Sequence, residues 1–213
     1  MKFHKDMLFL YGVTDQAFTG EKTLTEQIEE ALSAGVTLLQ LREKGLDKRA
    51  FLEEALLVRE LTKHYGVPLI INDDVEIALR CGADGVHVGQ DDLSPSEVRR
   101  LIGPDRILGV TAKDVSQAKD AFMDGADYIG SGAIFPSTTK KDAIPLTLEQ
   151  LSAICRSVPI PVVAIGGITV ENVSSLKGTG VAGAAVVSGI FGQKDITAAV
   201  RHLKEQLLKV VSP

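Results

Sequence analysis

Eight short apolar runs rich in β-branched residues punctuate the chain, at 8–14, 36–41, 67–71, 85–88, 106–110, 127–132, 160–167 and 182–188. Most are continuous rather than alternating, the pattern of strands covered on both faces. Between them lie helical faces such as Leu24, Ile28, Ala31 and Leu32, then Phe51, Ala55, Val58 and Leu61. The spacing predicts eight βα units, and the punctuation agrees. Thr23 and Glu26 stand at capping-box spacing, while Ser94, Pro95 and Glu97 read as N-cap, first and third helical residues. Gly35, Gly82, Gly125 and Gly180 each precede a new apolar run, where a left-handed residue stops the preceding helix. Alternating units demand a mostly parallel sheet with right-handed crossovers, and eight of them favour closure over an open sheet. The expected fold class is therefore α/β, a minimal (β/α)8 TIM barrel over residues 1–213 as a single domain, since such barrels begin near ~200 residues. Active sites of this architecture form on the loops after the C-terminal strand ends.

With 213 residues, 45% hydrophobic and 24% charged, neither a disordered chain nor a fibre fits. A formal charge of −5 lacks the basic footprint of a nucleic-acid or anionic-membrane binder, which leaves small molecules as the leading partners. No run is long enough to span a bilayer, and the opening MKFHKDMLFLYG reads as a poor secretory signal. Cys81 and Cys155 lie in apolar segments and read as small buried hydrophobes in a reducing compartment. A cytoplasmic location is expected. The sequence leaves the oligomeric state open, and a homo-oligomer is compatible with it.

The strand ends hold the polar residues. After the second run, alternation sends Gln40, Arg42 and Lys44 to one side, either as a grip on an anionic group or as a solvated end with Arg42 paired to a carboxylate. Asp73 and Asp74 follow the third run, Asp91 and Asp92 the fourth. Carboxylates from adjacent strands held ~4 Å apart repel by roughly 4 kcal/mol at an effective dielectric of about 20, unless a proton or cation intervenes. Oxygen-only ligands suit Mg²⁺. Asp is also a preferred N-cap, the favoured reading for Asp74 and Asp91; for Asp73 and Asp92 both readings stand. His87 reads first as a core imidazole and second as a base, and Thr111 either donates to an anion or caps a helix. Residues 132–142 form a long aperiodic connection whose three hydroxyls and two ammonium groups suit closure over phosphate, a polar loop without function being the alternative. Gly166-Gly167 and Val187-Ser188-Gly189 end the last two runs, where barrels commonly seat a phosphate and where Gly-Gly also makes simple turns.

Together these pieces resemble the thiamine phosphate synthase family over nearly the whole chain: LYGVTD (10–15), QLREK (40–44), IND (71–73), GVHVGQDD (85–92), LGVTA (108–112), GAIFPSTTKKD (132–142), AIGGI (164–168) and VVSGIF (186–191). The resemblance implies joining of hydroxymethylpyrimidine diphosphate to thiazole phosphate, with release of pyrophosphate. It implies that Gln40, Arg42, Lys44 and Asn72 grip the pyrimidine diphosphate, with Thr111 at the position where the family usually has Ser. It places Mg²⁺ on Asp73 and Asp92 and brings Lys140 to the diphosphate. Ser137, Thr138, Thr139, Gly167, Val187 and Ser188 are implied to bind thiazole phosphate, Ser137 replacing the usual Thr. Arg42, Lys44, Thr111 and Lys140 are the expected catalytic set. Two rivals share the scaffold: a metal-independent thiazole tautomerase, whose catalytic His would stand where Ala133 does, and a non-catalytic binder of thiamine phosphate.

Overall fold

The computed structural model describes residues 2–136 and 145–211. Its eight strands are β1 (Leu10–Val13), β2 (Leu38–Leu41), β3 (Leu69–Asn72), β4 (Gly85–Val88), β5 (Ile107–Thr111), β6 (Tyr128–Ser131), β7 (Val162–Ile165) and β8 (Gly183–Val186). Every neighbouring pair is parallel, and β8 pairs back onto β1 with Tyr11 opposite Ala185, so the sheet closes into a barrel. Six helices cover its outside: α1 (Leu24–Ala34), α2 (Lys48–Tyr65), α3 (Val75–Cys81), α4 (Pro95–Ile102), α5 (Val115–Met123) and α6 (Leu148–Ser157). A four-residue α7 (Ser188–Phe191) and then α8 (Ile196–Val211) follow β8.

The local signals act as anticipated. Thr23 and Glu26 complete a capping box on α1, and Ser94 caps α4 with Pro95 behind it. Gly35, Gly82, Gly125 and Gly180 all carry positive φ. Leu24, Ile28, Ala31 and Leu32 are buried, as are Phe51, Ala55 and Val58, while Leu61 is half-buried. Cys81 is buried and Cys155 half-buried, both as free thiols.

Three expectations change. The seventh connection holds a 3₁₀ turn at Val173–Leu176 in place of an α-helix, because glycines at 166, 167, 178 and 180 and β-branched and hydroxyl residues between them leave little helix-forming sequence. Asp74 caps α3 through Ile77 N, but Asp91 caps nothing: Ser94 takes that role three residues on. The two glycines at the end of β7 also do more than open a turn, as shown below.

Two apolar layers result. An outer cluster fills the space between sheet and helices. An inner one, with Leu8, Tyr11, Leu38, Ile70, Ile107, Tyr128 and Val163, fills the lower barrel. Below it the 3₁₀ turn Lys5–Leu8 closes the bottom, with Phe3 stacked on Tyr128 at 6.0 Å between ring centroids. The lower rim is latched by side chains that take N–H groups at the start of neighbouring strands: Thr37 from Leu10, Asp84 from Leu69, Asp127 from Leu108. Arg59 holds Asp84 and Arg99 holds Asp127, at 2.7 and 2.6 Å. The recurrent Gly-x-Thr/Asp joint before β2, β4 and β6 is therefore a stop signal and a latch in one tripeptide.

Candidate active site

A cavity of about 190 Å³ opens at the C-terminal rim of the barrel. Of the residues singled out in the sequence, it is lined by Gln40, Arg42, Asn72, Thr111, Gly167, Val187 and Ser188, with His87 at its floor. Ser137, Thr138, Thr139 and Lys140 lie outside the described residues.

After β2, Arg42 is paired to a carboxylate, as the second of the two readings has it, while Gln40 and Arg42 both line the cavity. Gln40 faces the barrel interior and donates through Nε2 to Tyr11 Oη at 2.6 Å. Arg42 lines the cavity and is also paired, Nη1 to Asp15 Oδ2 at 2.8 Å. Buried Thr14 fixes its backbone by accepting from Arg42 N at 3.0 Å. One of five guanidinium N–H groups is thereby spent on orientation, and the others have no partner among the described residues. Lys44 lies past the strand, largely exposed, with Nζ 2.6 Å from Asp73 Oδ2.

Asp73 and Asp92 are brought together, their carboxylates within hydrogen-bonding reach of each other. Asp73 sits in the left-handed region at φ 63°, its N–H donating to His87 O at 2.8 Å, so the backbone itself aims this side chain at the rim. Asp92 accepts from Gly89 N at 2.7 Å. Partial burial first, then the facing Asp73, hold the Asp92 carboxyl above its ordinary range, against the pull of the Gly89 N–H and Lys44. A carboxylate whose proton affinity is raised partly by a facing carboxylate, beside a lysine ammonium, forms with it an oxygen-only seat for a small dication, so the residues fit Mg²⁺. Among the described residues no group of three or more His, Cys, Asp or Glu is placed to hold a metal ion. A dication here would take its remaining ligands from water or substrate.

At the far side, Gly166 (φ 100°) and Gly167 (φ 63°) lie directly under the start of the β6 loop. A Cβ on Gly167 would stand 2.3 Å from Pro136 O, and one on Gly166 2.5 Å from Ala133 Cα. Ile134 N and Phe135 N donate to Ile165 O and Gly166 O, which ties that loop to β7. Asn172 pins the same turn by donating to Gly167 O at 2.8 Å. Val187 and Ser188 enter from the end of β8 and the first residue of α7.

His87 is the core imidazole of the first reading, with Nδ1 3.0 Å from Tyr128 Oη and Nε2 3.0 Å from Thr111 Oγ1. Burial pushes it down to about 4, so it is neutral at physiological pH. Asp15, Tyr11, Tyr128 and Lys113 escaped the sequence reading as site residues. Asp15 and Lys113 follow β1 and β5 closely and the strand-end rule would have found them; the tyrosines carry no such mark.

The chain is also similar to known proteins in sequence and in fold. A family model described as "Thiamine monophosphate synthase" matches residues 10–190. A thiamine-phosphate synthase of Ruminiclostridium cellulolyticum is 53% identical over 92% of this chain and 93% of its own. One from Clostridium botulinum is 46% identical over 94% of both. The solved thiamine phosphate pyrophosphorylase of Pyrococcus furiosus superposes with a TM-score of 0.90 at 36% identity, covering 98% of this chain and 99% of that one. With a family model matched across 181 consecutive positions (10 to 190), the chain belongs to the thiamine monophosphate synthase family.

Proposed function

We propose that this transferase joins hydroxymethylpyrimidine diphosphate to thiazole phosphate, giving thiamine phosphate and pyrophosphate by a dissociative, Mg²⁺-dependent substitution. One observation carries the reading: Arg42 and the glycine turn of β7 line one cavity, and the Asp73–Asp92 pair with Lys44 follows the C-terminal strand ends on the same side of the barrel. That gives one site with two anion-accepting sides.

Asp73 and Asp92 would hold Mg²⁺, which when bound offsets negative charge on the leaving diphosphate. Arg42, fixed by Asp15, and Lys44 supply further positive charge where that charge grows, the term that commonly dominates such barriers. On the family resemblance, Lys140 joins them. The bond between the pyrimidine methylene carbon and the diphosphate oxygen breaks, its electron pair leaving with oxygen. The aminopyrimidine ring stabilises the cation, and the thiazole nitrogen lone pair then forms the new C–N bond. No protein nucleophile is required. Ile165, Ile168 and Val187 give the cavity apolar walls that limit the water able to capture the cation.

The purified protein, incubated with both substrates with and without Mg²⁺, is expected to release pyrophosphate with thiamine phosphate only when the metal is present. Absence of both products refutes the synthase reading, and metal-independent product refutes the Mg²⁺ role. Conversion of thiazole phosphate alone, without pyrophosphate, would assign the isomerase activity instead, which the methyl group of Ala133 at the cavity wall disfavours.

A further inference from the structure

The barrel interior contains an unbroken string of five polar groups from β2 to β5. Gln40 Nε2 donates to Tyr11 Oη at 2.6 Å, Tyr11 Oη meets Tyr128 Oη at 2.8 Å, Tyr128 Oη meets His87 Nδ1 at 3.0 Å, and His87 Nε2 meets Thr111 Oγ1 at 3.0 Å. The barrel makes room for it deliberately: a Cβ on Gly109 would lie 2.2 Å from Tyr128 Cζ and 2.5 Å from His87 Nδ1, and one on Gly130 3.0 Å from His87 Cε1. Both tyrosines and Gln40 are almost fully buried, so each proton in the string needs a partner.

That requirement sets a direction. Tyr11 accepts from Gln40, so its own proton goes to Tyr128. Tyr128 then donates to His87 Nδ1, which leaves the neutral imidazole proton on Nε2, donated to Thr111. Any other assignment with this amide orientation strands a buried hydroxyl proton. At the two ends, Gln40 Oε1 is left as an acceptor and the Thr111 hydroxyl as a donor, and among the described residues neither has a further partner. Both residues line the cavity.

We propose that Tyr11, Tyr128 and His87 are positioning residues, a proton-ordered chain that fixes Gln40 as acceptor and Thr111 as donor. The cavity thereby selects a heterocycle offering an N–H donor towards β2 and a ring-nitrogen acceptor towards β5. An aminopyrimidine presents both. This deepens the synthase reading and rests on it for the identity of the ring, but not for the order of the protons.

The first test needs neither substrate nor a change in the string. With the exposed His4, His64 and His202 replaced by glutamine, ¹⁵N NMR of the full chain at neutral pH reads His87 alone. A protonated Nε2 with unprotonated Nδ1 is expected; the opposite tautomer overturns the proposal. Tyr128→Phe, which keeps the ring against Phe3, should shift His87 towards Nδ1 protonation, whereas Tyr11→Phe should leave the tautomer alone. Both variants should lower by about tenfold the preference in kcat/KM for hydroxymethylpyrimidine diphosphate over its analogue with methyl for amino, with the KM of thiazole phosphate unchanged. Unchanged preference in both variants overturns the specificity role. A wild-type protein without synthase activity would fail the functional reading, while the tautomer would still decide the proton order.

Discussion

Asp73 carries its negative charge on a left-handed backbone, a conformation that Asp and Asn bear at less cost than most side chains. Asp73→Asn therefore removes the charge while leaving the turn intact. Turnover is expected to fall on the order of a hundredfold, the scale of losing one preorganised electrostatic partner, with the melting temperature nearly unchanged. Full activity with unaltered Mg²⁺ dependence would dismiss the metal role. His87 makes a separate prediction about acid. Its folded value, about 4, lies below the unfolded one, so above pH 6.5 both states are neutral and the group contributes nothing to pH dependence. Between 6.5 and about 4 the unfolded chain binds the extra proton, and stability declines by up to roughly 1.4 kcal/mol per pH unit from this residue. Urea midpoints that stayed flat across that window would contradict it. At this scale the sequence was most informative where a polar residue ends an apolar run, as with Gln40, Arg42, Asn72 and Thr111. Tyr11 and Tyr128 could not be read that way. Their hydroxyls sit inside apolar runs, and only the closed barrel brings strands 1, 4 and 6 close enough to join them.

The strands, caps and stop glycines were written locally and therefore legible: a capping box, a proline at the first helical position or a left-handed glycine each depends on residues within one turn. Partnerships across the sheet were not. The stop glycines at 35, 82 and 125 were legible, but the latching role of the Thr or Asp two residues on depends on an N–H contributed by the preceding strand. Asp84 shows the weight of that latch, because its carboxylate is only 10% exposed and serves both Arg59 and Leu69 N. Asp84→Ala leaves a largely buried guanidinium and an amide without their acceptor, a loss of about 3 kcal/mol and a fall in melting temperature of roughly 10 °C. KM for both substrates should not move, since the latch lies at the rim opposite the cavity. A change in KM would show that the two rims are coupled. The missing seventh helix belongs at this scale too: eight evenly repeated units were expected, and the turn at Val173–Leu176 departs from them where glycine-rich sequence gives way to close packing under the β6 loop.

Taken whole, the molecule is a cylinder with its sheet closed, so no strand edge is left unpaired, and its lower mouth is plugged by the segment before β1. Phe3 is the outermost part of that plug. Phe3→Ala removes the ring stacked on Tyr128 from a half-buried position and should cost about 1–2 kcal/mol, a drop of several degrees in the thermal midpoint. An unchanged midpoint would make the plug ornamental. Closure was inferable from the count of units and the chain length; the plug was not, since it depends on the depth of the barrel rather than on any local pattern. The latches have one further consequence. Because arginine–aspartate clasps tighten one mouth of the cylinder while the proposed reaction belongs to the other, heat tolerance and reactivity are expected to answer to separate sets of positions. A breeder of variants can search the first set freely and expect the second to keep its chemistry.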